Sequence, residues 1–330
     1  MTRDTWSSLR IVDESPTIEE RADVMTPSAG LKNTVSTAKQ LVMRTGSEAF
    51  RVLGSATADL RPLPDFLLIG TKRGGTTSLY YDLLKVPQVV TMFPSARFLP
   101  KANETKGVHF FDSFYGKGMR WYRSYMPTAW SRARAERRLG KPVVVGEASP
   151  YYLFHPLAAA RAYAAMPNAK IVALLRDPVE RTHSHWKERR RSNAEPLDFA
   201  EALEAEEQRL AGEEERIIAE APNYISYPHE QQSYVAQSRY VRGLRRWADL
   251  YGMENILVLA SEDYYADQPA AVATVARFLG LDAPDLQIGG HLNAAPGGSM
   301  DPELRRRLQM EFAEDNAELE RLIGRRLPWQ

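Results

Sequence analysis

Apolar positions in this chain fall into two patterns that alternate along it. Short continuous runs occur as FLLIG (66–70), VVVG (143–146), IVALL (171–175) and ILVLASED (256–263), with a briefer VHFF at 108–111. Their length and β-branched content predict buried strands. Between them, segments near 75–86, at HPLAAARAYAAM (155–166), at 233–252 and at PAAVATVARFLG (269–280) space their apolar residues by three and four, which predicts helices. An acidic helix is expected around 197–220, its charges forming a solvated face. Asp177-Pro178-Val179-Glu180 spells a helix start, with a capping Asp, Pro at the first helical position and Glu at the third. Asp301-Pro302 opens a last helix over about 302–323, stopped by Gly324.

Strands separated by helices predict an α/β protein, a P-loop-like three-layer fold with a central, mostly parallel sheet flanked by helices. Residues 1 to about 30 are polar and read as an arm. Residues 31–59 carry Leu31, Val35, Ala38, Leu41 and Val42 at helical spacing, so 1–59 is expected to be an arm plus a helix. Packing of that helix on the main domain is preferred to a membrane or partner role. LRPLP (60–64) marks a linker, and 60–330 is taken as one domain.

Composition narrows the choice of chemistry. A hydrophobic fraction of 44% supplies a core, and a net charge of +1 gives no bulk field for nucleic acid. With no cysteine, disulfides, thiolate metal sites and a cysteine nucleophile are excluded. The N-terminus lacks a secretory apolar core and no window has transmembrane length, so a cytoplasmic protein is expected. The histidines at 109, 155, 183 and 185 match no zinc spacing, so no metal site is expected.

The first strand runs into GTKRGGTTSL (70–79) and then a helix, an order that builds an anion cradle from loop amides and a helix N-terminus. Gly70 and Gly75 fit the spacing of a nucleotide P-loop, but Thr76 stands where its lysine belongs. The basic residues are Lys72 and Arg73, inside the loop. Two further chemical groups sit at strand ends, Glu147 after VVVG and Arg176 after IVALL. In parallel sheets ligands bind beyond the carboxyl ends of strands, so the three are expected to converge. Each also has a plain reading: an ordinary turn for the loop, an ion pair for Glu147, pairing with Asp177 or Glu180 for Arg176. Tyr240, Leu244 and Trp247 read as core, and WKERRRSN (186–193) as a solvated helix end.

These segments resemble sulfotransferases that use 3′-phosphoadenosine 5′-phosphosulfate (PAPS), of the carbohydrate type, in particular heparan sulfate N- and 3-O-sulfotransferase domains and their bacterial relatives. The resemblance runs from about residue 65 to the end. It rests on GTKRGGTTSL, KGVHFFDSFYGKGMRWYRSYMP (106–127), GEASPYY (146–152), VALLRDPVERTHSHW and the ending MDPELRRRL…LIGRRLPW, in that order. It implies that Lys72, Arg73, Gly74, Gly75, Thr76, Thr77 and Ser78 hold the 5′-phosphosulfate and that Arg176 and Ser184 hold the 3′-phosphate. It implies Glu147 as the base, Arg73 or Lys72 as the cation at the sulfuryl group, and contributions from Lys106 and His109. Gly297 and Gly298 stand in a cofactor loop that is basic in the family. Ala148 stands where the 3-O-sulfotransferases have a lysine after the glutamate, which argues against assuming heparan sulfate as acceptor. In-line transfer from PAPS to a hydroxyl of a sugar or glycoconjugate would release adenosine 3′,5′-bisphosphate without a metal. A P-loop-like kinase and a non-catalytic nucleotide binder are the rival classes. Acceptor choice is expected from loops 97–135 and 220–240.

Overall fold

The computed structural model describes residues 50–94, 106–282 and 300–329. Phe50–Gln330 form one compact unit, separate from Met1–Ala49. The helix expected over 31–59 lies outside the described residues except for its end, 50–56, which is helical. That end is held to the compact unit: the Arg51 guanidinium donates to the Phe93 carbonyl (2.7 Å) and covers the Tyr125 ring at 3.8 Å.

Five strands make the sheet: β1 (Phe66–Gly70), β2 (Val89–Val90), β3 (Val144–Ala148), β4 (Lys170–Leu175) and β5 (Ile256–Ala260). Their order is β2-β3-β1-β4-β5, and every pairing is parallel. Side chains alternate across β1. Leu67 and Ile69 join a core with the helices Ala158–Ala165 and Tyr240–Tyr251, while Phe66 and Leu68 join one with Thr76–Leu83 and Gln268–Phe278. Helices therefore cover both faces of a fully buried central strand, which is why β1 reads as an unbroken apolar run. At Gly146 a Cβ would lie 2.0 Å from the Phe66 ring, so glycine there lets β3 pair closely with β1.

Several elements differ from expectation for local reasons. VHFF is not a strand, because its amides are taken by side chains: Val108 N by Glu147 (2.9 Å), His109 N by Ser149 (3.0 Å), Phe110 N by Tyr152 (2.8 Å). The acidic helix is three short ones, Phe199–Glu204, Glu206–Leu210 and Glu213–Ala219, with Gly212 at φ 75 turning the chain before the last. The run at 256–263 leaves the sheet at Ala260, and Ser261–Ala266 is helical. The helix expected at 233–252 begins only at Tyr240. The helix Ala129–Leu139 escaped the pattern because it has no buried residue, and hence no apolar stripe. The last helix is Pro302–Ile323, as its caps predict.

Candidate active site

Because β3 and β4 flank β1 on opposite sides, the loops after the three strands share one edge of the sheet. The loop after β1 starts on a firm anchor, Thr71 N donating to the Leu174 carbonyl (2.8 Å) of β4. Gly75 then takes φ 93 and caps the helix Thr76–Leu83. A Cβ at Gly75 would come 2.6 Å from the Tyr265 hydroxyl, the far end of a side chain, so it is the backbone angle that calls for glycine. First-turn amides of a helix have no intrahelical acceptor, so Thr76, Thr77 and Ser78 sit where an anion is stabilised.

On one flank of this loop, Arg73 Nε donates to Ser184 Oγ (3.2 Å). Arg176 Nη1 reaches the Arg73 carbonyl at 3.4 Å, while its other nitrogen lies 3.8 Å from Glu180. Asp177 caps the helix Pro178–Arg191 as expected, and that helix carries Ser184 to Arg73. Two guanidinium groups and a hydroxyl are thus gathered at one point, although Arg73 and Ser184 are 111 positions apart.

Lys106 occupies the other flank. Its Nζ donates to Thr77 Oγ1 at 2.7 Å. Burial lowers its pKa to about 8. A cation thus stands at the first turn of the loop's helix, reached from a different segment than the P-loop lysine. Lys72 points elsewhere: its Nζ binds the Glu230 carboxylate (2.9 Å) and the Glu230 carbonyl (3.0 Å). Burial lowers the Lys72 pKa, with Glu230 opposing the shift in part.

Glu147 lies inside β3 rather than after it, and its side chain is fully buried. Its Oε1 accepts from Val108 N (2.9 Å), the Tyr152 hydroxyl (2.9 Å) and the Ser149 hydroxyl, and its Oε2 from the Tyr122 hydroxyl (2.6 Å). The carboxylate thereby pins the 108–111 turn against β3. Tyr152 extends the clamp by accepting from Phe110 N and Phe111 N, and Tyr122 stacks on Phe110 with centroids 4.5 Å apart.

His109 stands at the exposed end of that turn, at φ 53, with 32% of its side chain accessible. Its Nδ1 is 2.8 Å from Asp112 Oδ2. Burial alone would lower the imidazole pKa; the Asp112 hydrogen bond and charge, aided by Glu147 and Glu230, outweigh it and raise the value. Burial likewise acts to raise the Asp112 carboxyl, but His109 holds it below the usual carboxylate range. In the neutral imidazole this pairing places the proton on Nδ1 and leaves Nε2 as the acceptor.

The sequence profile of the sulfotransferase domain matches residues 63–294, which includes every element of this site. The chain belongs to the sulfotransferase family. A solved sulfotransferase from Alicyclobacillus acidocaldarius is 31% identical, covers 81% of this chain and 98% of its own, and superposes with a TM-score of 0.53. The membrane-associated sulfotransferase kil1 of Dictyostelium discoideum is 24% identical over 81% of this chain and 67% of its own length. A mouse bifunctional heparan sulfate N-deacetylase/N-sulfotransferase 4 is 27% identical over 80% of this chain, which spans only 30% of that protein. Among the described residues of this sulfotransferase no helix is long and apolar enough to cross a membrane, and no cluster of His, Asp and Glu has a metal-binding arrangement.

Of the residues singled out in the sequence, Arg73, Thr77, Lys106, Arg176 and Ser184 meet at the loop, whereas Lys72 turns to Glu230, and Glu147 and His109 belong to the contact between β3 and the 108–111 turn. Gly297 and Gly298 lie outside the described residues. The other histidines serve the core: His183 stacks on Trp186 (5.8 Å), His185 is buried against Arg181, and His155 accepts from Leu157 N. Tyr240, Leu244 and Trp247 are core residues. Within 186–193, Arg189 binds Glu188 and Gln231, and Arg190 the carbonyls of Glu195 and Pro196. Sequence reasoning passed over Asp112, although its spacing from His109 was in view. It passed over Glu230 too, which no local pattern ties to Lys72.

Proposed function

We propose that this sulfotransferase moves the sulfuryl group of PAPS to a hydroxyl of a sugar or glycoconjugate. One observation carries the reading: the loop Thr71–Ser78 is bracketed by Arg73, Ser184 and Arg176 on one flank and by Lys106 on the other. A donor with phosphate groups at both the 3′ and 5′ positions needs two anion sites on either side of one nucleoside. A triphosphate needs one cradle and a metal.

In this reading Arg73, Arg176 and Ser184 hold the 3′-phosphate, and the loop amides with Thr76, Thr77 and Ser78 hold the 5′-phosphosulfate. Of the two cations the resemblance offers, Arg73 is turned by its Ser184 contact to the 3′ side and Lys72 to Glu230. Lys106 is then the cation at the transferring group, where it offsets charge that grows as the sulfur–oxygen bond to the phosphate breaks.

The acceptor oxygen attacks sulfur opposite the bisphosphate leaving group. A new sulfur–oxygen bond forms, the bond to the 5′-phosphate oxygen breaks, and the hydroxyl proton passes to a base. In this reading His109 Nε2 takes that proton, a role supported by the Asp112 contact at Nδ1, which would fix the ring and stabilise the imidazolium that forms. Glu147, the base implied by the resemblance, is fully buried and accepts from four protein donors, and we assign it to positioning the His109 turn. Thermal shift tests the donor reading. Adenosine 3′,5′-bisphosphate is expected to raise the melting temperature; stabilisation by ATP and Mg²⁺ but not by the bisphosphate would point to a phosphotransferase instead.

A further inference from the structure

Arg176 stands two residues before the helix Pro178–Arg191, and Glu180 lies in its first turn. They are near enough to pair, yet the pair is not closed. Arg176 Nη2 is 3.8 Å from Glu180 Oε2, beyond hydrogen-bond range. Glu180 is engaged from another side. Arg305 Nη2 donates to Glu180 Oε1 at 2.5 Å, across 125 positions of chain. One carboxylate thus lies between two guanidinium groups, closed on Arg305 and open toward Arg176.

The backbone on both sides of this contact is anchored. Asp301 caps the helix Pro302–Ile323 through Glu303 N and Leu304 N, both at 2.9 Å. Leu304, Leu308 and Phe312 of that helix pack with Val179 and Trp186, on the helix that carries Glu180. Arg239 holds it further on, through Glu311 and Asp315. At the other end the Arg176 carbonyl accepts from the Tyr240 hydroxyl (2.8 Å), and Asp177 N donates to Glu262 (3.0 Å). What is left to choose between partners is the Arg176 side chain. It can stay by Arg73, whose carbonyl is 3.4 Å from Nη1, or close on Glu180.

Electrostatics makes that choice depend on Arg305. Burial acts to raise the Glu180 carboxyl, but the Arg305 hydrogen bond and charge, with Arg176, hold it below the usual carboxylate range. Glu180 is therefore an anion at neutral pH. The nearby Asp177 carboxylate is spent on the Glu180 amide (3.0 Å), as the helix cap. His183 brings no charge, because burial lowers its pKa to about 4. With Arg305 balancing Glu180, the charge of Arg176 is left for a ligand. Without Arg305, Glu180 has one guanidinium to turn to, and it is Arg176.

We propose that Arg305 is a positioning residue for donor binding: by holding Glu180 it keeps the Arg176 guanidinium free to take the 3′-phosphate. This rests on the sulfotransferase reading above, in which Arg176 binds that phosphate. It adds a residue of the C-terminal helix that acts only through Glu180.

A double-mutant cycle of Arg305→Ala and Glu180→Gln tests the proposal. The readout is the calorimetric Kd for adenosine 3′,5′-bisphosphate, with adenosine 5′-phosphate as the control ligand. Both side chains are more than one-third exposed, so the variants should fold. Arg305→Ala alone is expected to weaken bisphosphate binding about fivefold, the scale of one partly exposed charge pair, and to leave 5′-phosphate binding unchanged. The loss should vanish in the Glu180→Gln background, where no carboxylate remains to capture Arg176. Glu180→Gln alone should bind the bisphosphate at least as tightly as the wild type. Unchanged bisphosphate affinity in Arg305→Ala would reduce the contact to an ordinary surface pair and overturn the proposal. So would an equal loss in the Glu180→Gln background, the sign of a direct contact between Arg305 and the ligand, or weaker binding by Glu180→Gln alone. A wild type that binds the bisphosphate no more tightly than adenosine 5′-phosphate would instead remove the 3′-phosphate reading, and the proposal with it.

Discussion

Lys106 Nζ lies 2.7 Å from Thr77 Oγ1, across 29 positions of chain. The contact sets a cation at the anion loop without the lysine that P-loops carry in the loop itself. If that cation stabilises charge on the transferring group, Lys106→Ala lowers kcat by about 10²–10³-fold, the usual cost of one preorganised donor at a developing charge. The melting temperature should hardly move, and Lys106→Arg should restore part of the rate.

The same lysine sets an upper pH limit. Burial lowers its pKa to about 8, so in the free enzyme the cation is lost as pH rises through that value. The kcat/KM profile is expected to fall above about pH 8 in the wild type. In Lys106→Arg this limb should move to higher pH, since a guanidinium stays charged.

His109 sets the lower limit. Its pKa is raised, so the imidazole stays protonated to a pH above its ordinary value, and a base must be neutral to accept a proton. The rising limb of kcat/KM should therefore have its midpoint above about 6.5. Asp112→Asn removes the charge that raises it and should move the midpoint down, while His109→Gln should abolish the limb. The same shift bears on stability. The His109–Asp112 pair contributes fully below the unfolded histidine value, and the contribution is lost as pH rises through the folded one.

Much of this arrangement follows from local sequence, and the rest does not. β1 occupies the predicted residues because a five-residue apolar run is short for a helix and, buried on both faces, suits a central parallel strand. Asp177 and Asp301 cap their helices because capping needs only a few neighbouring residues. The convergence of the Thr71–Ser78 loop, β3 and Arg176 was legible because parallel strands all point their carboxyl ends one way. What local pattern could not supply is pairing between distant segments. Lys72 with Glu230 spans 158 positions and Arg73 with Ser184 spans 111, and neither has a periodicity to betray it. The place of Glu147 was misjudged by the register of β3, which runs two residues past Val145–Gly146 and buries the carboxylate.

That burial makes Glu147 a test of structure against chemistry. Glu147→Gln puts an amide N–H₂ among the hydroxyls and amide that now donate to the carboxylate. Mismatched donors and a lost charge-assisted network predict a loss of about 2–4 kcal/mol in stability. Chemical denaturation should show it, with the pH limbs of His109 and Lys106 retained in the folded fraction. Unchanged stability with a vanished rising limb would return the base role to Glu147.

On the other flank, Ser184→Ala and Arg73→Ala should weaken adenosine 3′,5′-bisphosphate binding by about 10–100-fold, the range for hydrogen bonds to a charged group. Calorimetry with adenosine 5′-phosphate as the control separates the sites, because a ligand without a 3′-phosphate should lose little in either variant.

The most direct measurement is transfer of radiolabelled sulfuryl from PAPS to an alkyl glycoside in the presence of a metal chelator. The predicted result is label in the glycoside, with one adenosine 3′,5′-bisphosphate released per transfer and sharply lower rates in Lys106→Ala and His109→Gln. Absence of labelled glycoside, together with phosphorylated product from ATP and Mg²⁺, would contradict it.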